Sequence, residues 1–135
     1  LRPVMQLCSE VFGLREVPAG TSVGYGAAWT AQRPSRLGLV AMGYADGYPR
    51  TVRPGTEVLV DGRRCPLAGR VSMDMLMVDL TDHPEAGLGA EVEFWGRGLS
   101  VSEVAGAAGT ISYELLCGVK RVTMREEALP DTHRP

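Results

Sequence analysis

Apolar and polar positions alternate along most of this chain, and the alternation predicts strands. From Val4 to Val17 the pattern is loose and stops at Pro18-Ala19-Gly20, a turn signal. Leu37 to Met42 is a short continuous apolar run, the pattern of a strand buried on both faces. Two β-compatible runs, Thr56–Val60 and Arg63–Leu67, flank Asp61-Gly62 and predict a tight hairpin. Met73–Leu80 and Ala90–Trp95 alternate again. Helical character is clear in one segment. Ser100 or Ser102 caps an Ala-rich run from Glu103 to Ala108, and Gly109 stops it. Ile111–Cys117 fits a short helix or a turn, and the pattern leaves both open. Strands at short intervals with Gly-rich turns predict a mainly β fold, a small Greek-key-like barrel or sandwich with one or two short helices.

Composition narrows the functional classes. The 135 residues suit one domain, taken as residues 1–128. Residues 129–135 hold two prolines and no apolar pattern, and are read as a flexible tail. The chain does not begin with Met and is read as a fragment or a trimmed chain. Hydrophobic residues make up 44% and charged residues 22%, an ordinary soluble globular balance. No apolar run approaches the roughly 18–20 residues of a membrane span, so no membrane partner is expected. A net charge of −2 with both signs interleaved argues against nucleic acid, which needs a clustered basic surface. Cys8, Cys65 and Cys117 are odd in number and far apart, which favours reduced thiols in a cytoplasmic protein over a disulfide framework. With only His83 and His133 beside them, no metal site is expected. Thirteen arginines stand against a single lysine, Lys120.

Four segments are more specified than folding requires: Val23-Gly-Tyr-Gly26, Gly43-Tyr-Ala-Asp-Gly-Tyr-Pro-Arg50, Gly69-Arg-Val-Ser-Met-Asp74 and Gly109-Thr-Ile-Ser-Tyr-Glu114. Three place a tyrosine beside small residues, and two add an arginine. A tyrosine offers a hydroxyl on a rigid ring, and an arginine offers a fork of donors for carboxylate or phosphate. Taken singly, each has a plain structural reading. Tyr25 fits the core or a turn, Tyr44 an aromatic over a turn, Met73 and Tyr113 core packing, and Arg50 and Arg70 surface or ion-pair positions.

As an ordered set the four segments resemble the C-terminal domain of alanine racemase, a pyridoxal-phosphate enzyme of bacterial cell-wall precursor synthesis. The resemblance runs from Leu1 to about Val122. It implies a β-rich domain that follows an N-terminal barrel absent from this chain. In that family the barrel holds pyridoxal 5'-phosphate through a Schiff-base lysine, and a head-to-tail homodimer places each β-domain over the partner's barrel. By motif position, Tyr25 is the base on the L-side of the substrate. Met73 offers its backbone N–H to the substrate carboxylate, and Tyr44 narrows the access passage. Arg50 and Arg70 line the outer passage, where positive charge attracts the carboxylate. Tyr113 reaches the cofactor phosphate. Read from its own context, Asp46 is a structural turn residue that bonds turn amides, and Asp74 is an orienting residue. Only the C-terminal edge departs from the family, reading Lys120-Arg-Val-Thr-Met-Arg125 in place of an Arg-Val-Pro-Arg stretch.

An unperturbed phenol ionises near pH ~10, so Tyr25 needs positive charge or hydrogen bonds to act as a base at neutral pH. Arg33 and Arg36 are its nearest cations along the chain, whereas the family's activating groups lie in the barrel. Lys120, followed at once by Arg121, is a poor cofactor lysine. The resemblance therefore implies half of an active site for L- and D-alanine, inactive as an isolated domain. Two alternatives remain: a serine or broad-specificity amino-acid racemase domain, and a non-catalytic β-barrel that binds a partner or ligand.

Overall fold

The computed structural model describes residues 6–23, 29–53, 55–96, 98–109 and 118–119. Tyr25, Tyr113, Lys120 and the ambiguous segment Ile111–Cys117 lie outside the described residues. The described residues form eight strands: β1 (Leu7–Val17), β2 (Ser22–Val23), β3 (Trp29–Thr30), β4 (Ser35–Val40), β5 (Glu57–Val60), β6 (Arg63–Pro66), β7 (Leu76–Asp79) and β8 (Glu91–Trp95). A 3₁₀ turn, Tyr44–Asp46, follows β4, and a short α-helix, α1 (Val101–Ala108), follows β8.

Six strands form one antiparallel sheet in the order β6-β5-β8-β1-β4-β7. β1 spans both halves of it. Its first residues, Leu7–Glu10, pair with β8, and its later ones, Val11–Val17, pair with β4. An irregularity between Val11 and Gly13 lets the strand bend between the two partners. The two ends of the sheet then meet. Leu67, just past β6, bridges to Val78 of β7, and Ala68 N–H donates to the Met77 carbonyl at 2.9 Å. The result is a nearly closed barrel, which leaves little exposed edge for other chains to pair with.

The barrel interior is filled by Val11, Val40, Val58, Val60, Val78, Leu80, Val92 and Phe94, with Val104 and Ala105 of α1 packed on one side. Gly38 makes room for this filling. A Cβ there would stand 2.8 Å from Leu80 Cδ1 and 3.1 Å from Val78 Cγ2. The apolar run of β4 is buried on both faces because a second layer covers the outside. Leu37 points outward into a cluster with Val17, Val23, Ala31 and Ala68, joined by partly buried Trp29 and Met77. Val23 and Trp29 belong to the β2–β3 ribbon, so this ribbon is fastened to the outer face of the barrel.

Local signals act as their chemistry dictates. Asp61 and Gly62 both take positive φ, 48° and 82°, as a two-residue hairpin turn requires. Ser100 is the helix cap, accepting Ser102 N–H at 3.1 Å, and Gly109 ends α1 at φ 73°. Strand boundaries shift from the alternation pattern, and two of the shifts bear on the site. β4 stops at Val40, and β7 begins only at Leu76. Met73 and Asp74 precede the strand because their neighbours bond elsewhere: Ser72 N–H closes a turn onto the Met75 carbonyl at 3.0 Å.

Candidate functional site

β4 and β7 are antiparallel neighbours, and Val40 pairs with Leu76. Whatever follows β4 and whatever precedes β7 therefore emerges at the same end of the barrel. This brings two of the four sequence motifs, Gly43–Arg50 and Gly69–Asp74, into contact. Tyr44 N–H donates to the Ser72 carbonyl at 3.1 Å, and Ala45 N–H donates to the Met73 carbonyl at 3.1 Å. Within the turn, Asp46 Oδ2 accepts Gly43 N–H at 2.9 Å, and Asp46 N–H returns to the Gly43 carbonyl at 3.0 Å.

Two glycines are required here for different reasons. At Gly43, φ is −149°, extended backbone that any residue adopts. The demand there is for space, because a Cβ would sit 2.2 Å from the Met73 carbonyl oxygen and 2.4 Å from that of Ser72. Gly47 is constrained twice. Its φ of 107° is left-handed, and a Cβ would come within 2.5 Å of the Gly118 carbonyl oxygen.

The surface over this junction carries the exposed side chains of Tyr44 and Met73, 40% and 50% accessible. The Arg50 guanidinium carbon stands over the Tyr44 ring, 5.2 Å from its centroid, within cation–π range. Arg50, Arg70 and Asp74 are all exposed, whereas Asp46 is buried. Of the two arginines near Tyr25 in sequence, Arg33 is engaged by Asp82 at 2.8 Å. Its hydrogen bond holds the Asp82 carboxyl below the usual carboxylate range. Arg36 Nη1 is buried with no partner among the described residues. No group of three or more His, Cys, Asp or Glu side chains is placed to hold a metal among the described residues. No helix among them is long and apolar enough to cross a membrane.

The arrangement is one that known proteins share. The sequence profile described as alanine racemase, C-terminal domain, matches residues 4–126. The chain belongs to the alanine racemase C-terminal domain family. An alanine racemase from Azoarcus sp. (strain BH72) is 61% identical over 125 residues, 93% of this chain and 35% of that protein. The crystal structure of biosynthetic alanine racemase from Pseudomonas aeruginosa superposes with a TM-score of 0.87 at 63% identity, covering 90% of this chain and 34% of that one. Alanine racemase from Bartonella henselae, solved with covalently bound pyridoxal phosphate, superposes at 0.81 with 32% identity, covering 86% and 33%. The chain thus spans about a third of the length of the curated relatives it matches.

Of the residues picked out by resemblance to the alanine racemase family, the structure joins Tyr44, Arg50, Asp46 and Met73 at one junction. Arg70 and Asp74 lie on the segment that forms its other wall. Tyr25 and Tyr113 fall outside the described residues. Val23 and Trp29, on either side of the Tyr25 segment, are held against the barrel as part of the β2–β3 ribbon.

Tyr48 went unremarked in the sequence although it lies in the same motif as Tyr44. It is wholly buried, 5.0 Å from Phe94 and 6.2 Å from Trp95 between ring centroids. Anchored in the core, it fixes the loop whose other tyrosine faces outward. The two tyrosines of Gly43–Arg50 lie on either side of the left-handed Gly47, one exposed and the other buried.

Tyr48 also makes a testable contribution. Its hydroxyl has no partner among the described residues, and burial pushes its phenol well above the ordinary range. Burial likewise pushes up the thiol of Cys65, which lies 3.8 Å from His83 Nδ1. Both groups bind protons more tightly folded than unfolded. Their stabilisation is complete below the unfolded values, near ~8.5 for the thiol and ~10 for the phenol, and is lost as pH rises through the folded ones. Tyr48→Phe removes this hydroxyl and the phenol ionisation together. Urea unfolding of the variant is expected to show unchanged stability at neutral pH, or a gain of about 1 kcal/mol. Above about pH 10 its stability is expected to fall less steeply than that of the unsubstituted chain.

Proposed function

We propose that this chain is the C-terminal β-domain, residues 1–128, of a pyridoxal-phosphate-dependent racemase that interconverts L- and D-alanine. In this reading it covers an active site whose other wall belongs to the barrel of a partner subunit in a homodimer of the bacterial cytoplasm. The supporting observation is the junction of the Gly43–Asp46 turn with Ser72 and Met73, which leaves Tyr44 and Met73 exposed side by side. The name alanine racemase on the similar proteins supports alanine as the substrate, in preference to serine.

The described residues fit a cover over the cofactor better than a cradle for it. They offer backbone donors, a phenol and a guanidinium on an exposed face, and no amine. Tyr113 supplies a hydroxyl for the cofactor phosphate, and the lysine that holds the cofactor belongs to the barrel. Bound pyridoxal phosphate would acidify the hydrogen on the substrate α-carbon. Against that background the residues of this chain divide the work. The Tyr25 phenolate oxygen takes the α-proton from L-alanine and returns it in the reverse direction. Met73 N–H donates to the substrate carboxylate, which places the α-carbon. Tyr44, with Arg50 across its ring, narrows the passage and restricts water. Arg70 extends the positive charge along the approach, and Asp74 orients its segment.

Joining this chain to the part of the Pseudomonas aeruginosa enzyme outside the matched third, in place of that enzyme's own domain, tests the reading. The hybrid is expected to bind pyridoxal phosphate and to interconvert L- and D-alanine. The 135-residue chain alone is expected to form no D-alanine. A folded, cofactor-loaded hybrid without turnover would contradict the reading, as would robust turnover by the chain alone.

A further inference from the structure

The peptide between Ser72 and Met73 is oriented from outside its own segment. Its carbonyl oxygen, on Ser72, accepts Tyr44 N–H at 3.1 Å, and the next carbonyl, on Met73, accepts Ala45 N–H at 3.1 Å. No peptide bond among the described residues is cis. In a trans peptide the carbonyl and the N–H of one plane point in opposite directions. Holding the Ser72 oxygen toward the Tyr44 turn therefore aims Met73 N–H away from it. That N–H has no partner among the described residues, and Met73 is half exposed.

The turn that holds this peptide is itself closed by a carboxylate. Asp46 is buried, accepts Gly43 N–H at 2.9 Å through Oδ2, and sends its own N–H back to the Gly43 carbonyl at 3.0 Å. A carboxylate that accepts a backbone N–H makes a charge-assisted bond, stronger than a neutral one. We propose that Asp46 is a positioning residue for recognition of the substrate carboxylate. It clamps the Gly43–Asp46 turn, the turn anchors the Ser72 carbonyl, and the anchored peptide presents Met73 N–H at a fixed angle. Accepting a hydrogen bond at the carbonyl also polarises the peptide and strengthens its N–H as a donor. Asp46 acts through three backbone groups and touches no substrate atom. This inference rests on the functional reading above, in which Met73 N–H meets the carboxylate.

The hybrid racemase provides the test, with Asp46→Ala and Asp46→Asn as variants and propionate as a carboxylate that lacks the amine. Asp46→Ala is expected to raise KM for L-alanine and the inhibition constant of propionate together, each roughly tenfold, with kcat within about threefold. Asp46→Asn keeps an oxygen that accepts Gly43 N–H but loses the charge, and is expected to recover only part of both losses, leaving each constant raised about threefold. A merely structural role would lower the thermal midpoint and the folded fraction while leaving KM and the propionate constant of the folded enzyme unchanged. That result overturns the inference, as does a loss confined to kcat. Should Asp46→Ala not fold, Asp46→Asn decides alone. A rise of about threefold in both constants supports the clamp, and unchanged constants overturn it. The unsubstituted hybrid separates the two levels. If it turns over alanine but propionate does not compete, the assignment of Met73 fails first and the inference falls with it.

Discussion

Replacing Tyr25 with Phe in the hybrid racemase is expected to slow the conversion of L-alanine to D-alanine by a factor of roughly 10²–10⁴. The substitution removes one oxygen and keeps the ring, so folding and cofactor absorbance are expected to stay as they were. The loss is also expected to be lopsided. In the proposed reading Tyr25 serves only the L-face, so L-alanine is expected to stop exchanging its α-hydrogen with heavy water. D-alanine, served from the barrel side by the lysine, continues to exchange. Equal exchange from both enantiomers, or full racemisation, would show that another group is the base.

Gly43→Ala is expected to be nearly as damaging to activity, by a steric route. The new methyl would sit 2.2 Å from one backbone oxygen and 2.4 Å from another, and neither is the end of a flexible side chain. Relief requires the Gly43–Asp46 turn and the Ser72–Met73 peptide to separate. That breaks the two hydrogen bonds that join the motifs. Forced overpacking of this kind costs about 1–3 kcal/mol, here toward the upper end. For a domain of this size the thermal midpoint is expected to fall by roughly 10 °C. The surviving folded enzyme is expected to show a raised KM for alanine, since Met73 N–H has lost its alignment. Gly55→Ala is the matched control. A Cβ on Gly55 would meet no atom of the described residues within 4 Å and would carry the strain of a φ of 81°, so its cost is expected in stability without a change in KM.

Local physics made much of the fold legible. The Asp61-Gly62 turn, the Ser100 cap and the Gly109 stop depend on one or two residues and their immediate neighbours, and the sequence displays them. The burial of β4 on both faces could also be read from its unbroken apolar run. Long-range bonds left no such mark. The barrel closes through Leu67 and Val78, two ordinary apolar residues whose pairing no local pattern announces. β1 reads as one continuous strand, yet it divides between two partners at a bulge beside Gly13, and that glycine does not announce which strands pair on either side of it. Met73 and Asp74 continue the alternation of β7 but leave the strand. The reason is a turn centred about thirty positions earlier, whose amides take the carbonyls of Ser72 and Met73.

The candidate site was legible in a different way. Its residues stood out as motifs, and their order carried the family resemblance, but their division of labour required coordinates. Tyr44 and Tyr48 sit in one octapeptide with the same local chemistry, and only the structure separates the exposed ring from the buried anchor. Arg50 reads as a free positive charge on a passage, whereas its guanidinium lies across the Tyr44 ring. Asp46 reads as a turn residue, and the backbone bonds around it extend that role to the peptide on the facing segment.

The central claim is that this domain completes an active site on another subunit, and a mixing experiment tests it most directly. One hybrid carries Tyr25→Phe, and a second carries an intact Tyr25 with the cofactor lysine of the barrel replaced. Each alone is expected to be nearly inactive. Unfolded together and reassembled, they form mixed dimers in which one site pairs an intact barrel with an intact Tyr25. The expected result is recovered racemisation, approaching a quarter of that of the unsubstituted hybrid when the two are mixed equally and pair at random. If the mixture stays as inactive as its components while mixed dimers demonstrably form, Tyr25 does not act across the subunit boundary, and the account is wrong.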